Sequence, residues 1–459
     1  MLAQHLVPVM DEGLGNSTYL LDIGQGRALV VDPSRDLRQV RAEAHRLGLV
    51  IAYAAETHLH ADFISGVHEL EALDGATVLS AEVGPRDFVY VGLNDGDGVE
   101  VGAFTLRALA TPGHSPEHLS YLLLEEERIV GVFTGGSLMV GTAGRTDLVS
   151  RAMTVPLARA QYHSLQRLMK LPDSTPVWPT HGAGSFCSAA AGNQRTSTIG
   201  RERATNPLLH VENEDTFVDL LLGSLGTFPD YFLRLGEINR QGPVVLGQPP
   251  TLVALSVAQV QELQQHDAQI VDARPPADFA AGHIPGSLSI ALRPMFATWL
   301  GWLADPDLPV IIVRNKDQNL EDIAFAAAKV GFDALAGELG GGFQAWRASA
   351  ESPTAAGSLI GARSMVFGAE VSASVIDIRQ ASEYAAGHVA AAYNFELGSL
   401  AEHLAELPAG PLVVMCGHSE RAMSSASILE RAGRTDVSVL DGSATDWTRE
   451  SGQPLETGP

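Results

Sequence analysis

The residues best equipped for chemistry begin with Thr57-His58-Leu59-His60-Ala61-Asp62-Phe63. Two histidines sit one residue apart and an aspartate follows two further on. Neutral imidazole is the commonest metal ligand, and carboxylate suits the harder ions. The run lies between Leu49 to Ala55, which reads as a buried strand, and Val67 to Leu73, which reads as a short helix. A turn between strand and helix lets alternate side chains converge on one point. Taken alone, the pair reads equally well as two surface histidines. Two later stretches end strand-like runs with histidine as well: Thr111-Pro112-Gly113-His114 after Phe104 to Leu109, and Pro179-Thr180-His181-Gly182 after Pro176 to Trp178. Three strand ends that each offer histidine point to a metal site.

A second chemical centre is expected at Cys416. The strand-like run Pro411 to Met415 leads into Cys416-Gly417-His418-Ser419-Glu420-Arg421, where a helix starts. A cysteine at the mouth of a helix meets backbone N–H groups and the positive end of the helix dipole. Both stabilise a thiolate or persulfide anion and are expected to lower the thiol pKa from about 8.5. Arg421 is expected to close the loop with further donors.

The elements that must position these residues fall into two regions. Leu14 to Pro33 reads as two strands around Gly24-Gln25-Gly26, a hairpin signal. Helical patterns follow at 35–49 and 153–171, with a further hairpin at 119–134. Strands then helices in two similar halves suggest an αββα sandwich. The segment 211–250 changes character: 217–225 is helical in pattern, a Pro-Asp break follows, and Pro/Gly-rich runs mark a linker. Beyond it the chain repeats itself. Asp272-Ala273-Arg274 and Gly282-His283 recur as Asp377-Ile378-Arg379 and Gly387-His388, at an offset of roughly 105 residues. Alternation of strand and helix in each copy indicates parallel sheets. Three regions are expected: 1–245, 251–352 and 360–459.

The first region resembles the metallo-β-lactamase fold superfamily. That family carries His-x-His-x-Asp-His, then Gly-His, then an aspartate after Thr-Gly, then a late His-Gly. The matching residues are His58, His60, Asp62, His114 and His181. Two positions depart from the pattern. Phe63 stands where the family has a further histidine, and Gly136 stands where it has its bridging aspartate. The resemblance implies a metal held by His58, His60 and His114. Asp62, His181 and Asp147 stand as further ligands or as residues that orient the ligands. The Gly144-Arg145-Thr146-Asp147 run also resembles the persulfide dioxygenase branch, which takes one iron and oxidises glutathione persulfide. Arg145 therefore reads either as a substrate-binding residue or as a loop salt bridge. Cys187 reads either as a thiol that meets substrate sulfur or as a small buried hydrophobe.

The repeated region resembles the rhodanese domain, through Asp-x-Arg, Gly-His and the closing Trp346 and Trp447. In the first copy Arg314 replaces the cysteine and Asn319 the arginine, so that copy is expected to be a structural spacer. Phosphatases on this fold have one more residue between cysteine and arginine, so the Cys416 loop is the sulfurtransferase form. The order of regions resembles bacterial persulfide dioxygenase–rhodanese fusions. That implies one metal ion, iron(II) before zinc, and substrates among low-molecular-weight thiol persulfides, thiosulfate and sulfite. Two rival functions stand beside it: a single-zinc thioester hydrolase of the glyoxalase II type, and a sulfurtransferase whose first domain is a degenerate scaffold. A two-metal hydrolase is disfavoured, because Gly136 and Phe63 both remove ligands.

Composition sets the remaining bounds. The chain has 459 residues and a formal net charge of −24, which repels phosphate backbones and argues against nucleic acid. No apolar run reaches the ~18 residues of a membrane span. Two cysteines in so long a chain do not make a disulfide framework, so a cytoplasmic location is expected. A homo-oligomer is left open.

Overall fold

The computed structural model describes residues 6–187, 194–333, 335–350 and 352–458. The chain divides into two compact units, Met1–Pro250 with Phe325–Gly331, and Thr251–Ala324 with Phe332–Pro459.

In the first unit two six-stranded sheets face each other. One runs in chain order: Leu6–Asp11, Asn16–Gly24, Arg27–Val31, Val50–Ala55, Thr77–Ala81 and Val91–Leu93. The other runs Ser197–Thr198, Pro176–Pro179, Arg128–Gly135, Leu119–Glu125, Phe104–Ala110 and Gly98–Val101. Alternate residues fill the space between them. Tyr19, Leu21, Leu29, Val31 and Leu79 from the first sheet meet Leu106, Tyr121, Leu123, Phe133 and Trp178 from the second. The other faces are covered by helices. Arg38–Leu47 and Val67–Asp74 pack on the first sheet through Leu37, Val40, Ala44, Val67 and Leu70. Arg151–Leu168 and Glu214–Gly223 pack on the second through Ala158, Leu165, Leu168, Phe217 and Leu221. The αββα architecture follows from these two outer layers.

The Pro/Gly-rich runs read as a linker carry no helix or strand over 242–250, but a helix leads into them. Phe232–Gln241 is a helix, and its Asn239 is buried against the histidine loop. The Pro-Asp break merely ends one helix and starts the next.

In the second unit each repeat builds a five-stranded sheet in which every neighbouring pair is parallel. The central strands Val310–Val313 and Leu412–Met415 are wholly buried, which explains their uninterrupted apolar character. Each copy uses the same internal strut. Arg274 grips Asp272 and donates to the Gly282 carbonyl at 2.9 Å; Arg379 grips Asp377 and donates to that of Gly387 at 2.8 Å. The following histidine stacks on an aromatic ring, His283 on Phe279 at 3.8 Å and His388 on Tyr384 at 3.7 Å. No helix of the described residues is long and apolar enough to cross a membrane.

Candidate metal centre and thiol loop

The sandwich sets four strand ends beside one another. The loop after Val50–Ala55 carries His58 and His60, the loop after Phe104–Ala110 carries His114 and His118, and Pro176–Pro179 leads into His181. Gly136 follows Arg128–Gly135. All five histidine rings are buried. His58 lies at the centre, with ring centroids 4.2 Å from His60, 4.8 Å from His114, 5.1 Å from His118 and 5.3 Å from His181.

Hydrogen bonds decide which ring nitrogens carry lone pairs. Thr57 donates its hydroxyl to Asp32 at 2.7 Å, so its oxygen accepts from His58 Nδ1 at 2.8 Å. His114 Nδ1 donates to the Arg145 carbonyl at 2.7 Å, and His181 Nδ1 to Asn16 Oδ1 at 2.8 Å. In each case Nε2 is left bare, the form that binds metal. His58 Nε2 and His181 Nε2 face each other at 3.3 Å. Two nitrogens about 2.05 Å from a tetrahedral ion stand roughly 3.3 Å apart. His60 differs. Its Nε2 lies 3.2 Å from Asp32, an ion-pair contact without hydrogen-bond alignment, and its Nδ1 has no partner.

Ligand atoms of His58, His60 and His181 lie within 4.8 Å of one another, and so do those of His114, His181 and Cys187. His181 therefore belongs to both groups, whereas His114 meets His58 by ring contact at 4.8 Å and lies outside the group of His58 and His60. The donor chemistry fits a metal ion: imidazoles with fixed tautomers, an orphaned ring nitrogen, and a thiol at the margin.

Electrostatics keep most of these rings neutral. Burial, then neighbouring imidazoles, pushes His58 and His118 far down. Burial and His181 take His114 down to about 3, and burial and His60 take His181 to about 3. His60 goes the other way: burial alone would lower it, but Asp32 together with Glu56 and Asp62 raises it. Asp32 anchors the loop, accepting from the Thr57 N–H at 2.7 Å, from Thr57 Oγ1 and from the Thr180 hydroxyl. It does so at φ +50°, in the left-handed region. Asn239 clamps the same loop, donating to the carbonyls of His60 and Phe63 and accepting from the Ser65 N–H, all within 2.9 Å.

The other candidates sit as follows. Asp62 is buried; Oδ2 accepts from Asn16 at 2.6 Å and Oδ1 has no partner. Asp147 turns both carboxylate oxygens to Arg145 and belongs to neither ligand group. The Arg145 guanidinium is used up within the fold: besides Asp147 it donates to the carbonyls of Phe186 and Gly226 and lies over the Phe228 ring. The loop salt bridge, the other reading of Arg145, is what the structure contains. Cys187 is buried, and burial followed by the Asp62 carboxylate pushes its thiol well up.

Reasoning from sequence missed Asp32, Asn16, Asn239 and His118. His118 is not free to bind metal, because its Nε2 accepts from the Gly136 N–H at 3.0 Å and its Nδ1 meets Thr111 at 2.9 Å. Its ring stacks on His58 at 20° and steadies it. The Pro-Gly-His-Ser-Pro-Glu-His spacing, one turn's worth of chain, was the available signal.

In the second unit Cys416 ends the strand Leu412–Met415, and the helix Glu420–Arg431 begins four residues on. Ser419 takes φ +60° to make the tight entry, with Gly417 and His418 completing the loop. Backbone N–H groups of His418 and Ala422 and the charge of Arg421 favour the thiolate, yet burial is the larger effect and the thiol pKa is raised, not lowered as expected. Arg421 is held by Glu383 through two bonds of 2.7 and 2.8 Å. It still borders the loop, since a Cβ on Gly417 would lie 3.7 Å from its Nη2. In the first copy Arg314 is held by Glu338 and donates to the carbonyls of Asn315 and Gln318. That loop turns carbonyls toward a cation, the reverse of an anion cradle.

Comparisons with known proteins agree with both halves. The rhodanese-like domain model matches residues 256–349 and 362–450. The N-terminal part is 31% identical over 209 residues to "Persulfide dioxygenase ETHE1, mitochondrial" of Homo sapiens, covering 44% of this chain and 75% of that one. It is 32% identical over 226 residues to a hydroxyacylglutathione hydrolase of Gloeobacter violaceus, covering 43% and 85%. A solved metallo-β-lactamase structure from Staphylococcus aureus superposes with a TM-score of 0.67 at 29% identity, covering 72% of this chain and 98% of that one. The chain belongs to the metallo-β-lactamase fold family and carries two rhodanese-like domains.

Against that family's pattern, Gly136 is a built feature and not a vacancy awaiting a side chain. A Cβ there would lie 2.2 Å from His114 Cδ2 and 2.7 Å from Cγ. The neighbouring Gly135 has φ +54°, and a Cβ on it would meet the Thr57 hydroxyl at 2.4 Å and His118 Nε2 at 2.5 Å. Imidazoles occupy the space that the aspartate would need. Phe63 stacks on His60 at 4.2 Å and fills the other departing position with a ring that binds nothing.

Proposed function

We propose that the chain is a sulfur-metabolism enzyme: a single metal ion in the pocket of His58, His60, His114 and His181 acts on a low-molecular-weight persulfide, and Cys416 transfers sulfur. The observation that carries the metal reading is the pair His58 Nε2 and His181 Nε2, both bare and 3.3 Å apart. The persulfide reading is supported by relatives named persulfide dioxygenase and by the rhodanese-like match. Iron(II), when bound, would supply oxygen activation. The chain's own part is to hold the ion through fixed tautomers, to exclude water with buried Phe63 and Ile64, and to keep His60 beside Asp32. The domain division that goes with this reading is 1–245, 251–352 and 360–459.

At Cys416 the thiolate attacks the outer sulfur of thiosulfate. An S–S bond forms at Cys416, the thiosulfate S–S bond breaks, and its electron pair leaves with sulfite. Running the step backwards makes thiosulfate from sulfite and the Cys416 persulfide. The backbone N–H groups at the helix mouth stabilise the anion in both directions.

A second reading, thioester hydrolysis with one zinc, is favoured by the absence of a carboxylate from both ligand groups and by the hydroxyacylglutathione hydrolase relatives. Metal analysis of protein purified without added metal separates the readings. About one iron per chain, with oxygen uptake on glutathione persulfide, supports the first; about one zinc with thioester cleavage and no oxygen uptake replaces it with the second. Metal-free protein that retains thiosulfate sulfurtransferase activity leaves only the Cys416 chemistry. Cys416→Ser should abolish that activity, and retention of parent activity would refute the assignment.

A further inference from the structure

We infer that Cys187 is a metal ligand, the anionic donor of the histidine pocket. This rests on the pocket binding a metal, and it adds a residue that the histidine set does not include. Ligand atoms of Cys187, His114 and His181 lie within 4.8 Å of one another, all three residues buried. The juxtaposition is constructed by Arg145. Its carbonyl accepts from His114 Nδ1 at 2.7 Å, its N–H donates to the Cys187 carbonyl at 2.9 Å, and its guanidinium donates to the Phe186 carbonyl at 2.9 Å. One residue thus fixes both the imidazole and the chain segment that carries the thiol. Ser185 Oγ accepts the Cys187 N–H at 3.1 Å and closes the turn.

The charge of the pocket points the same way. A dication in a buried site needs a negative partner, since desolvation of an uncompensated charge costs several kcal/mol. Imidazoles supply none. Gly136 has no side chain, and no carboxylate can be built from it without displacing His114. Asp147 is spent on Arg145, and Asp32 on Thr57, Thr180 and His60. Asp62 gives one oxygen to Asn16 and stands outside both ligand groups, although its other oxygen, like His60 Nδ1, is buried without a partner. Cys187 is the anion-forming side chain inside a ligand group. On binding, the thiol loses its proton to solvent and the sulfur lone pair goes to the ion. Thiolate suits a borderline-soft ion such as zinc and also binds iron(II).

The chain has two cysteines, which makes the test clean. The full chain is loaded with cobalt(II), whose thiolate complexes show an intense near-ultraviolet charge-transfer band that imidazole complexes lack. The band should appear in the parent and in Cys416→Ser, and should be lost in Cys187→Ser with cobalt still bound. X-ray absorption of zinc-loaded Cys416→Ser should show one sulfur at about 2.3 Å, a measurement that does not depend on how the Cys187 variant folds. Bound zinc or cobalt with nitrogen and oxygen neighbours alone would overturn the Cys187 assignment and leave the histidine pocket standing. No binding of either ion by the parent would overturn both.

Discussion

Restoring an aspartate at Gly136 is the perturbation whose outcome the sequence and the structure forecast in opposite directions. From the family pattern alone, Gly136→Asp should complete a facial set of two histidines and a carboxylate and tighten iron binding. The geometry forbids it. The new Cβ would stand 2.2 Å from His114 Cδ2, where ordinary contact begins at 3.4 Å, so the ring must retreat by more than an ångström. His114 cannot retreat freely, because Arg145 holds its Nδ1 and the Gln161 side chain accepts its N–H at 2.9 Å. Overpacking of this kind costs about 1–3 kcal/mol, which lowers the melting temperature of a unit this size by about 5 °C. Displacing a ligand imidazole from its hydrogen bond costs about 10–100-fold in metal affinity. Gly136→Ala meets the same obstruction without the charge and should lose as much. The assay is calorimetric melting with and without metal, alongside iron(II) and zinc(II) titration of parent and both variants. Tighter iron binding by Gly136→Asp at an unchanged melting temperature would refute the reasoning, and would mean that His114 yields.

Two further outcomes follow from named contacts. Asn239→Ala removes the clamp on the His60–Ser65 loop and strands one N–H and two carbonyls, so stability should fall by about 3 kcal/mol and metal affinity by about tenfold; a urea midpoint within about 0.5 kcal/mol of the parent would show that the clamp is idle. Burial raises the Glu383 carboxyl but Arg421 outweighs it, so its folded pKa lies below the ordinary 4.5. The pair's stabilisation is therefore complete above that range and lost as pH falls through the lowered value. The melting difference between parent and Glu383→Gln should be present at neutral pH and vanish in acid; a difference that grows on acidification would contradict the assignment.

Much of the fold was legible because its signals are local. The Gly-Gln-Gly hairpin, the apolar parallel strands and the repeated Asp-x-Arg and Gly-His pairs each declare themselves within about a dozen residues. The histidines were legible for the same reason, each closing a strand-like run. What stayed hidden depends on distant partners. Asn16 lies 165 positions from His181, and Asn239 lies 179 from His60, so neither pairing leaves a trace in spacing. Asp32 looked like the end of a hairpin, although it holds Thr57, Thr180 and His60. The grouping of ligands was equally invisible, because it turns on which ring nitrogen each hydrogen bond leaves bare. At Cys416 the depth of the sulfur outweighs Arg421 and the helix mouth, both of which favour the thiolate as expected, and depth leaves no mark in a local motif.

The paired rhodanese-like domains amount to an experiment with its own control. Both copies retain the arginine strut on the aspartate and the aromatic-stacked histidine, although the first has no thiol for those parts to serve. Whatever the copies share is thereby identified as architecture, and whatever appears in the second alone becomes a suspect in the chemistry. On that test Asp377, Arg379 and His388 belong with the scaffold, while Cys416 and its left-handed Ser419 stand apart. Exchanging the two loops between the copies would ask whether reactivity can be transplanted onto a frame that already fits it.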